Sequence, residues 1–527
     1  MKKTLLYSAM MLSGLALTAC SDDNYGDPAV DLQGTTHFIV SPEENGFQTF
    51  YKPQLGTVGD PMPFFDPKAG DFKVMYLQEF PDVMKAPGRY HPYWAVSTKD
   101  GASYQSEGEW LSIGEFDTQQ DAILGTGCCT YDAKSGLYYI YYTGESEKTA
   151  NRQVVMRATS SDLKTWTRDN LWRLLGPDFG LSGNDFRDPQ IFMVDNQYHM
   201  IVSTKPVSGG DPCFAEFVSD DLKAWKHLGN IKMIWDRMLE CPDVFQMGNY
   251  WYIVYSETPA WSRRVKYNMA SSWEELRDKM NNGPSFVDFQ EGSLDTRALY
   301  AGKTASNGTE RYLWGWCSWN VMLGSDSAEP EWSGALVCHK VAQHEDGSLY
   351  LTAVPAMASK YNKPVQVKVM KSGETKDENG NVCESYILYN RLGAHNHITL
   401  TVKTQNPDDK FGLTFGRGTE TLVYWDKIWF NNPHWDNDKK QQRRIERYLT
   451  NGVVNQFMPG GVGNFYSVPE NNTFNIDIYT DNNVLVMYVN GTNCYTTRVS
   501  SIANNCWGIS TEPGVKVEVS NVNVSQY

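Results

Sequence analysis

From about residue 36 to residue 345, apolar positions come in short bursts broken by turn residues. "FKVMYLQEF", "YWAVSTKDG", "LYYIYYTGE", "VVMRATSSD", "YHMIVSTKP", "WYIVYSETP" and "YLWGWCSWN" mix aromatic and β-branched residues with polar ones. That mixture predicts strands. Pairs such as "SG", "DG", "GN" and "NG" mark the turns between them. A weak repeat runs through this region. "ATSSDLKTW" (158–166) and "FVSDDLKAW" (217–225) share Ser, Asp-Leu-Lys and Trp in register, with starts 59 positions apart. "AVSTKDGASY" (95–104) is a looser echo about one period earlier. A hairpin turn recurring in a sandwich would also echo. The even spacing, with about four strands per unit, favours propeller blades. Some 310 residues at a period near 60 make about five blades.

"HEDGSLYLTAVPAM" (344–357) closes that region. Beyond it, "PVQVKVMK", "HITLTVKTQ", "FGLTFGRG", "FNIDIYTD" and "VLVMYVNG" are longer alternating strands, as in an antiparallel sandwich. The expected architecture is therefore all-β: a five-bladed β-propeller over 36–350, then a β-sandwich over 358–527. The stretch "WDNDKKQQRRIERYLTNG" (435–452) is so charged that it predicts a solvated hairpin or short helix.

Residues 2–20 read "KKTLLYSAMMLSGLALTAC": two lysines, an apolar run, then small residues before a cysteine. This is a secretory signal over 1–20. Its end, Leu17-Thr18-Ala19-Cys20, resembles a bacterial lipobox, in which the cysteine thiol receives lipid and becomes the mature first residue. Residues 21–35 would be a flexible tether. The acidic start "SDDN" resembles the tail of Bacteroides-type lipoproteins that reach the cell surface. An outer-membrane lipoprotein facing the exterior is the expectation. No later stretch is long and apolar enough to span a bilayer. Without Cys20, nine of the ten cysteines remain, an odd number with no CxxC spacing. Buried free thiols are the expectation, with no zinc site and no cofactor.

A net charge of −15 argues against nucleic acid and anionic substrates as partners. A neutral ligand such as a sugar fits, and some of the 17 Trp could be its platforms. Core packing accounts for most of them. Three acids stand out: Asp60 in "GDPMPFF", Asp188 in "FRDPQIF" and Glu240 in "LECPDVF". Each precedes a short apolar segment and has a proline one or two positions on. Proline pushes the residue before it toward extended geometry, which would aim Asp60 and Asp188. A lone Asp-Pro usually starts a turn. Three such acids, on inner strands of different blades, would converge in one funnel.

These residues resemble the signatures of glycoside hydrolase family 32, the retaining β-fructosidases. The family's Arg-Asp-Pro and Glu-Cys stand intact at 187–189 and 240–241. "HPYWAVSTKD" (91–100), "LDTRALYAGKT" (294–304), "YLWGWCSWN" (312–320) and "IYTDNNVLVMYVNGTNCYTTRV" (478–499) are similar to other family stretches. The resemblance runs from about 36 to 527 and implies a five-bladed propeller followed by a sandwich. It departs at the nucleophile motif, usually Asp-Pro-Asn-Gly. Asp60-Pro61 and Asp66-Pro67 compete for that role. Only Asp60 leaves room for a first strand, "MPFF", before the strand beginning at Phe72, and Asp66 fits the turn between them. Met62-Pro63 replaces the usual Asn-Gly.

The resemblance implies a double displacement between carboxyls about 5–5.5 Å apart. Asp60 would be the nucleophile, Glu240 the acid/base, and Asp188 an ionised stabiliser of the transition state. Arg187, Trp94, Trp316 and Trp319 are candidate substrate-binding residues; a plain salt bridge is the alternative for Arg187, and core packing for the tryptophans. Cys241 would simply pack beside Glu240. The chain looks especially similar to Bacteroides surface endo-levanases, which implies β-2,6 fructan (levan, or else inulin) as partner and an endo cut. The alternatives are an exo-acting β-fructosidase or inulinase, and a non-catalytic fructan-binding lipoprotein.

Overall fold

The computed structural model describes residues 37–38, 46–54, 56–79, 91–233, 238–258, 263–283, 293–318, 321–322, 332–417, 425–433, 443–451, 455–457, 464–466, 469, 471–499 and 502–527. The expected signal and tether, with Cys20, and Trp319 lie outside the described residues.

Five antiparallel blades surround one axis. Their inner strands are Met62–Asp66, Ile123–Asp132, Leu181–Val194, Leu239–Met247 and Leu299–Ser306. Each inner strand packs on the next, and the fifth packs on the first, so the ring closes. Among the described residues, four blades have four strands and the fourth has three, with the helix Trp273–Asn282 packed beside it. Ser272 caps that helix by accepting from Glu275 N, and Trp273, Leu276 and Met280 form its buried face. The short strand Thr57–Val58 pairs with Gly334 of the fifth blade and with Gln78 and Glu79 of the first. It ties the two ends of the ring together.

The middle strands lie between neighbouring blades and are buried on both faces. Leu137–Glu145 is buried at every position except its two ends. This is why "LYYIYYTGE" is apolar almost throughout instead of alternating. The sequence repeat is the turn after the third strand of a blade. Ser160 Oγ accepts from Leu163 N, and Asp162 Oδ1 accepts from Lys164 N and Thr165 N. Ser219 Oγ and Asp221 Oδ1 make the same kind of turn in the next blade. In the first blade, Thr98 and Asp100 do so. The residue after the aspartate, its fourth position, is left-handed in all three: Gly101 at φ 69, Leu163 at 63, Leu222 at 59.

After the last propeller strand, Leu349–Thr352, a short helix at Met357–Lys360 leads into the sandwich. A six-stranded sheet faces an eight-stranded one. Ile398, Leu400, Phe411, Leu413, Phe430, Phe474 and Ile476 fill the space between them. The six-stranded sheet also packs on the propeller: Tyr479, Val486, Tyr488 and Cys494 share one core with Trp314 and Leu336.

The charged insert departs from its expectation. Arg443–Thr450 is a strand of the eight-stranded sheet, paired with Trp425–Pro433. Ile445 and Arg447 are each 1% exposed. Arg447 is neutralised by Asp426 across the pair, at 2.5 Å from Nη2 to Oδ1. A buried ion pair lets a charged sequence enter a sheet, which hydropathy alone does not reveal.

Candidate active site

Three inner strands share an irregularity. Their register slips between Arg187 and Gln190, between Glu240 and Asp243, and between Tyr300 and Lys303. Inside each slip one residue is left-handed: Asp188 at φ 60, Cys241 at 50, Ala301 at 53. Such bulges re-aim the side chains beside them. A left-handed residue that is not glycine costs about 1 kcal/mol or more, so neighbouring contacts must hold it. The Asp-Pro pair predicts extended backbone at Asp188, and the bulge overrides it. Two hydrogen bonds fix its aim instead. Asp188 N donates to Thr143 Oγ1 at 2.9 Å, and Asp188 Oδ2 accepts from Cys241 N at 2.9 Å.

The three acids and the residues that hold them come together from all five blades. Asp60 lies just ahead of the first inner strand. Its Oδ1 accepts from Trp316 Nε1 at 3.0 Å, and its Oδ2 accepts from Thr126 Oγ1 at 2.6 Å. Cys241 Sγ stands 3.7 Å from the same Oδ2, while its N–H holds Asp188. Cys241 thus links two of the acids and follows the third, which is more than packing beside Glu240. Glu240 Oε1 accepts from Arg187 Nη2 at 3.0 Å, and Oε2 accepts from the Tyr300 hydroxyl at 3.0 Å. The Glu240 side chain is 28% exposed, whereas Asp188 is 4% exposed beneath it. One carboxyl opens to the funnel and one forms its floor.

Burial lifts the Asp188 carboxyl up to about 7. Arg187 and the Cys241 N–H oppose the rise; the Glu240 and Asp60 charges add to it. This corrects the expectation that Asp188 simply stays ionised. At neutral pH the protein alone holds it protonated part of the time, with the proton coupled to its acidic neighbours. Burial alone would weaken the charge on Arg187, but Glu240 and Asp188 more than offset that and keep the guanidinium charged. Burial pushes the Tyr300 hydroxyl well up, and Glu240 pushes it further. It is therefore a donor to Glu240 at any working pH.

Of the candidate binding residues, Arg187 and Trp316 reach the cluster. Arg187 also binds Asp185 at 3.2 Å, so its guanidinium bridges two carboxylates. Trp94 does not reach it. Its neighbour Tyr93 donates to Gly125 O in the funnel wall. Strand alternation turns Trp94 onto the core that holds Tyr76 and Trp314. Asp66 closes the turn after the first inner strand, accepting from Lys68 N and from the Tyr138 hydroxyl. Three residues at the site escape sequence reasoning: Thr126 and Tyr300, which hold two of the acids, and Trp332, which packs on Trp316. Trp332 stacks on His91 at 4.8 Å and meets Trp316 edge-on at 6.4 Å. It covers Gly59, where a Cβ would come within 2.3 Å of the indole. Only the glycine-flanked "GTG" around Thr126 carried a local signal, that of a bulge.

Among the described residues nine cysteines are free, seven of them buried. Among the described residues, one group elsewhere could hold a metal by its residue types: Asp295, His339 and Cys494 bring ligand atoms within 4.8 Å of one another. Asp295 Oδ1 already accepts from Thr296 N and Thr496 N, and Oδ2 from Thr496 Oγ1 and Cys494 Sγ. Its donors come from the protein itself.

No curated protein matches the sequence. Solved structures share its fold across almost the whole chain. A sucrose-6-phosphate hydrolase from Lactobacillus gasseri superposes with a TM-score of 0.67 at 16% identity, covering 92% of this chain and 93% of that one. Fructan 1-exohydrolase IIa from Cichorium intybus gives 0.67 at 15%, covering 92% and 97%. An exo-inulinase from Aspergillus awamori gives 0.66 at 15%, covering 91% and 98%. The family profile for the BT1760-like C-terminal domain of GH32 matches residues 347–524. The profile for the N-terminal domain of glycosyl hydrolases family 32 matches residues 51–353, the stretch that carries all three acids, and the chain therefore belongs to glycosyl hydrolase family 32.

Proposed function

We propose that the protein is a retaining fructan hydrolase, an endo-levanase that cuts β-2,6-linked fructose polymer at the cell surface. One observation carries the reading: Asp60, Asp188 and Glu240 come from three blades and converge on shared partners in a single funnel. Asp60 attacks the anomeric carbon of a fructosyl unit. The bond to the leaving oxygen breaks as Glu240 gives that oxygen a proton. A covalent fructosyl-enzyme remains. Glu240 then takes a proton from water, the water oxygen attacks the same carbon, and Asp60 departs as carboxylate. Trp316 and Thr126 keep the Asp60 carboxylate oriented through both steps. Arg187 and Tyr300 do the same for Glu240. Asp188 hydrogen-bonds ring hydroxyls and favours the oxocarbenium-like transition state.

Lipid on Cys20 would anchor the enzyme in the outer membrane, facing out, as the first enzyme to meet an external polymer. An endo cut suits that station, because it yields oligosaccharides for import. The test is hydrolysis of levan and inulin by wild type and Glu240→Ala, with products separated by size. Early release of a ladder from levan, lost in the variant, is expected. Release of fructose alone makes the enzyme exo-acting. Binding without cutting makes it a fructan-binding protein. Labelling with a fatty-acid analogue, lost in Cys20→Ala, together with protease accessibility on intact cells, tests the anchor and its side.

A further inference from the structure

The donors on the two reacting carboxylates share a cation that none of the family signatures contains. Arg263 is 6% exposed and lies two positions before the third strand of the fourth blade, Val265–Ala270. Its guanidinium carbon lies 4.3 Å from the centroid of Tyr300 and 4.7 Å from that of Trp316. The two rings are 5.4 Å apart and tilted by 57°, so one cation serves both faces. Tyr300 points its hydroxyl at Glu240, and Trp316 points its indole N–H at Asp60. Together with Cys241 and Ala301 they form a small closed core under the funnel.

We propose that Arg263 is a positioning residue that acts on both reacting carboxylates at once, through Tyr300 and Trp316. A cation on an aromatic face draws electron density from the ring, and the effect grows where water is excluded. The ring's O–H or N–H then becomes a stronger donor. Arg263 also pins the planes of both rings, so each donor stays on its carboxylate oxygen. The result favours the charged forms of Asp60 and Glu240 together and keeps their spacing constant. Other groups face the same pair. Arg187, Asp185 and Asp188 lie on the Glu240 side. Tyr93, Cys241 and Lys303 lie near Asp60 and Asp188. Among the described residues, Arg263 is the cation that lies over both donor rings.

The inference rests on the hydrolase reading, and the experiment separates the two. Wild type, Arg263→Met, Arg263→Lys and Tyr300→Phe are compared by the pH profile of kcat/KM on levan. Arg263→Met fills similar space without charge. It weakens both donors, so both limbs of the bell move to higher pH, by about half a unit. Arg263→Lys restores the limbs, at least in part. Tyr300→Phe moves the basic limb, and adding Arg263→Met to it moves that limb little further, because the shared path is already cut. A lower rate with unmoved limbs in Arg263→Met makes the residue merely structural and overturns the proposal. So does an unchanged variant. If wild type cuts no fructan, hydrolysis fails by itself. Carbon-13 titration of labelled aspartate and glutamate carboxyls then reads the same displacement without turnover, and its absence overturns the role of Arg263.

Discussion

Asp188 and Asp295 invite comparison. Both are buried aspartates, at 4% and 0% exposure, and each is held by a cysteine. Their surroundings differ in one respect. Asp295 receives four hydrogen bonds, two on each oxygen, from Thr296, Thr496 and Cys494. His339 adds a contact at 3.5 Å, and its imidazole is kept neutral by burial, against the pull of Asp295. Asp188 receives one hydrogen bond on Oδ2 and, among the described residues, none on Oδ1. It also faces two further carboxylates. Burial and a cluster of titratable groups are common to both places. What separates a structural cluster from a reactive one is unmet hydrogen-bonding capacity, held in place by strained backbone.

The sharpest way to break this contrast is to neutralise one acid on each side. Asp60→Asn should lower hydrolysis by at least ~10⁴-fold while leaving the fold intact, because the Asn oxygen can still accept from Trp316 while its amide nitrogen donates to the Thr126 hydroxyl. Reducing-sugar release and a thermal melt measure the two effects. Asp295→Ala should do the reverse. It strands three backbone or hydroxyl donors and a thiol at the junction of propeller and sandwich. The expected loss is about 3 kcal/mol or more, seen as a melt lowered by about 3 °C or more. Turnover per folded molecule should stay within about threefold. If Asp295→Ala silences the enzyme with an unchanged melt, the two clusters are not opposites.

The same contrast explains what the sequence revealed. The funnel acids were legible because each sits in a short local motif, where Arg-Asp-Pro and Glu-Cys mark bulges. Blades one to three were legible because one turn recurs at Asp100, Asp162 and Asp221. The residues that hold the acids were not. Thr126 reaches Asp60 across 66 positions, Tyr300 reaches Glu240 across 60, and Trp316 reaches Asp60 across 256. Such contacts come from ring closure, which leaves no local pattern. Trp94 looked like a sugar platform because tryptophan type carries no information about which strand face it occupies. Arg447 looked solvated because its partner, Asp426, lies on another strand.

The smallest effect tests the contrast by pH. In the unfolded chain, Asp188 loses its proton near its ordinary value of 3.8; folded, it does so at about 7. Between these values the folded state binds more protons than the unfolded state. Stability therefore falls as pH rises from about 4 to 7, and the loss persists above 7. The shift corresponds to a penalty on the order of 2–4 kcal/mol at pH 8, shared with the coupled acids. Asp188→Asn carries no such penalty and can still accept from Cys241 N. It should match wild type near pH 4.5 and exceed it at pH 8 in urea unfolding, while its hydrolysis falls. Burial costs stability here only when the carboxyl is charged, so the gap must open with pH. A gap of equal size at both pH values would mean that Asp188 strains the bulge rather than the charge balance, and the distinction from Asp295 would then rest on geometry alone.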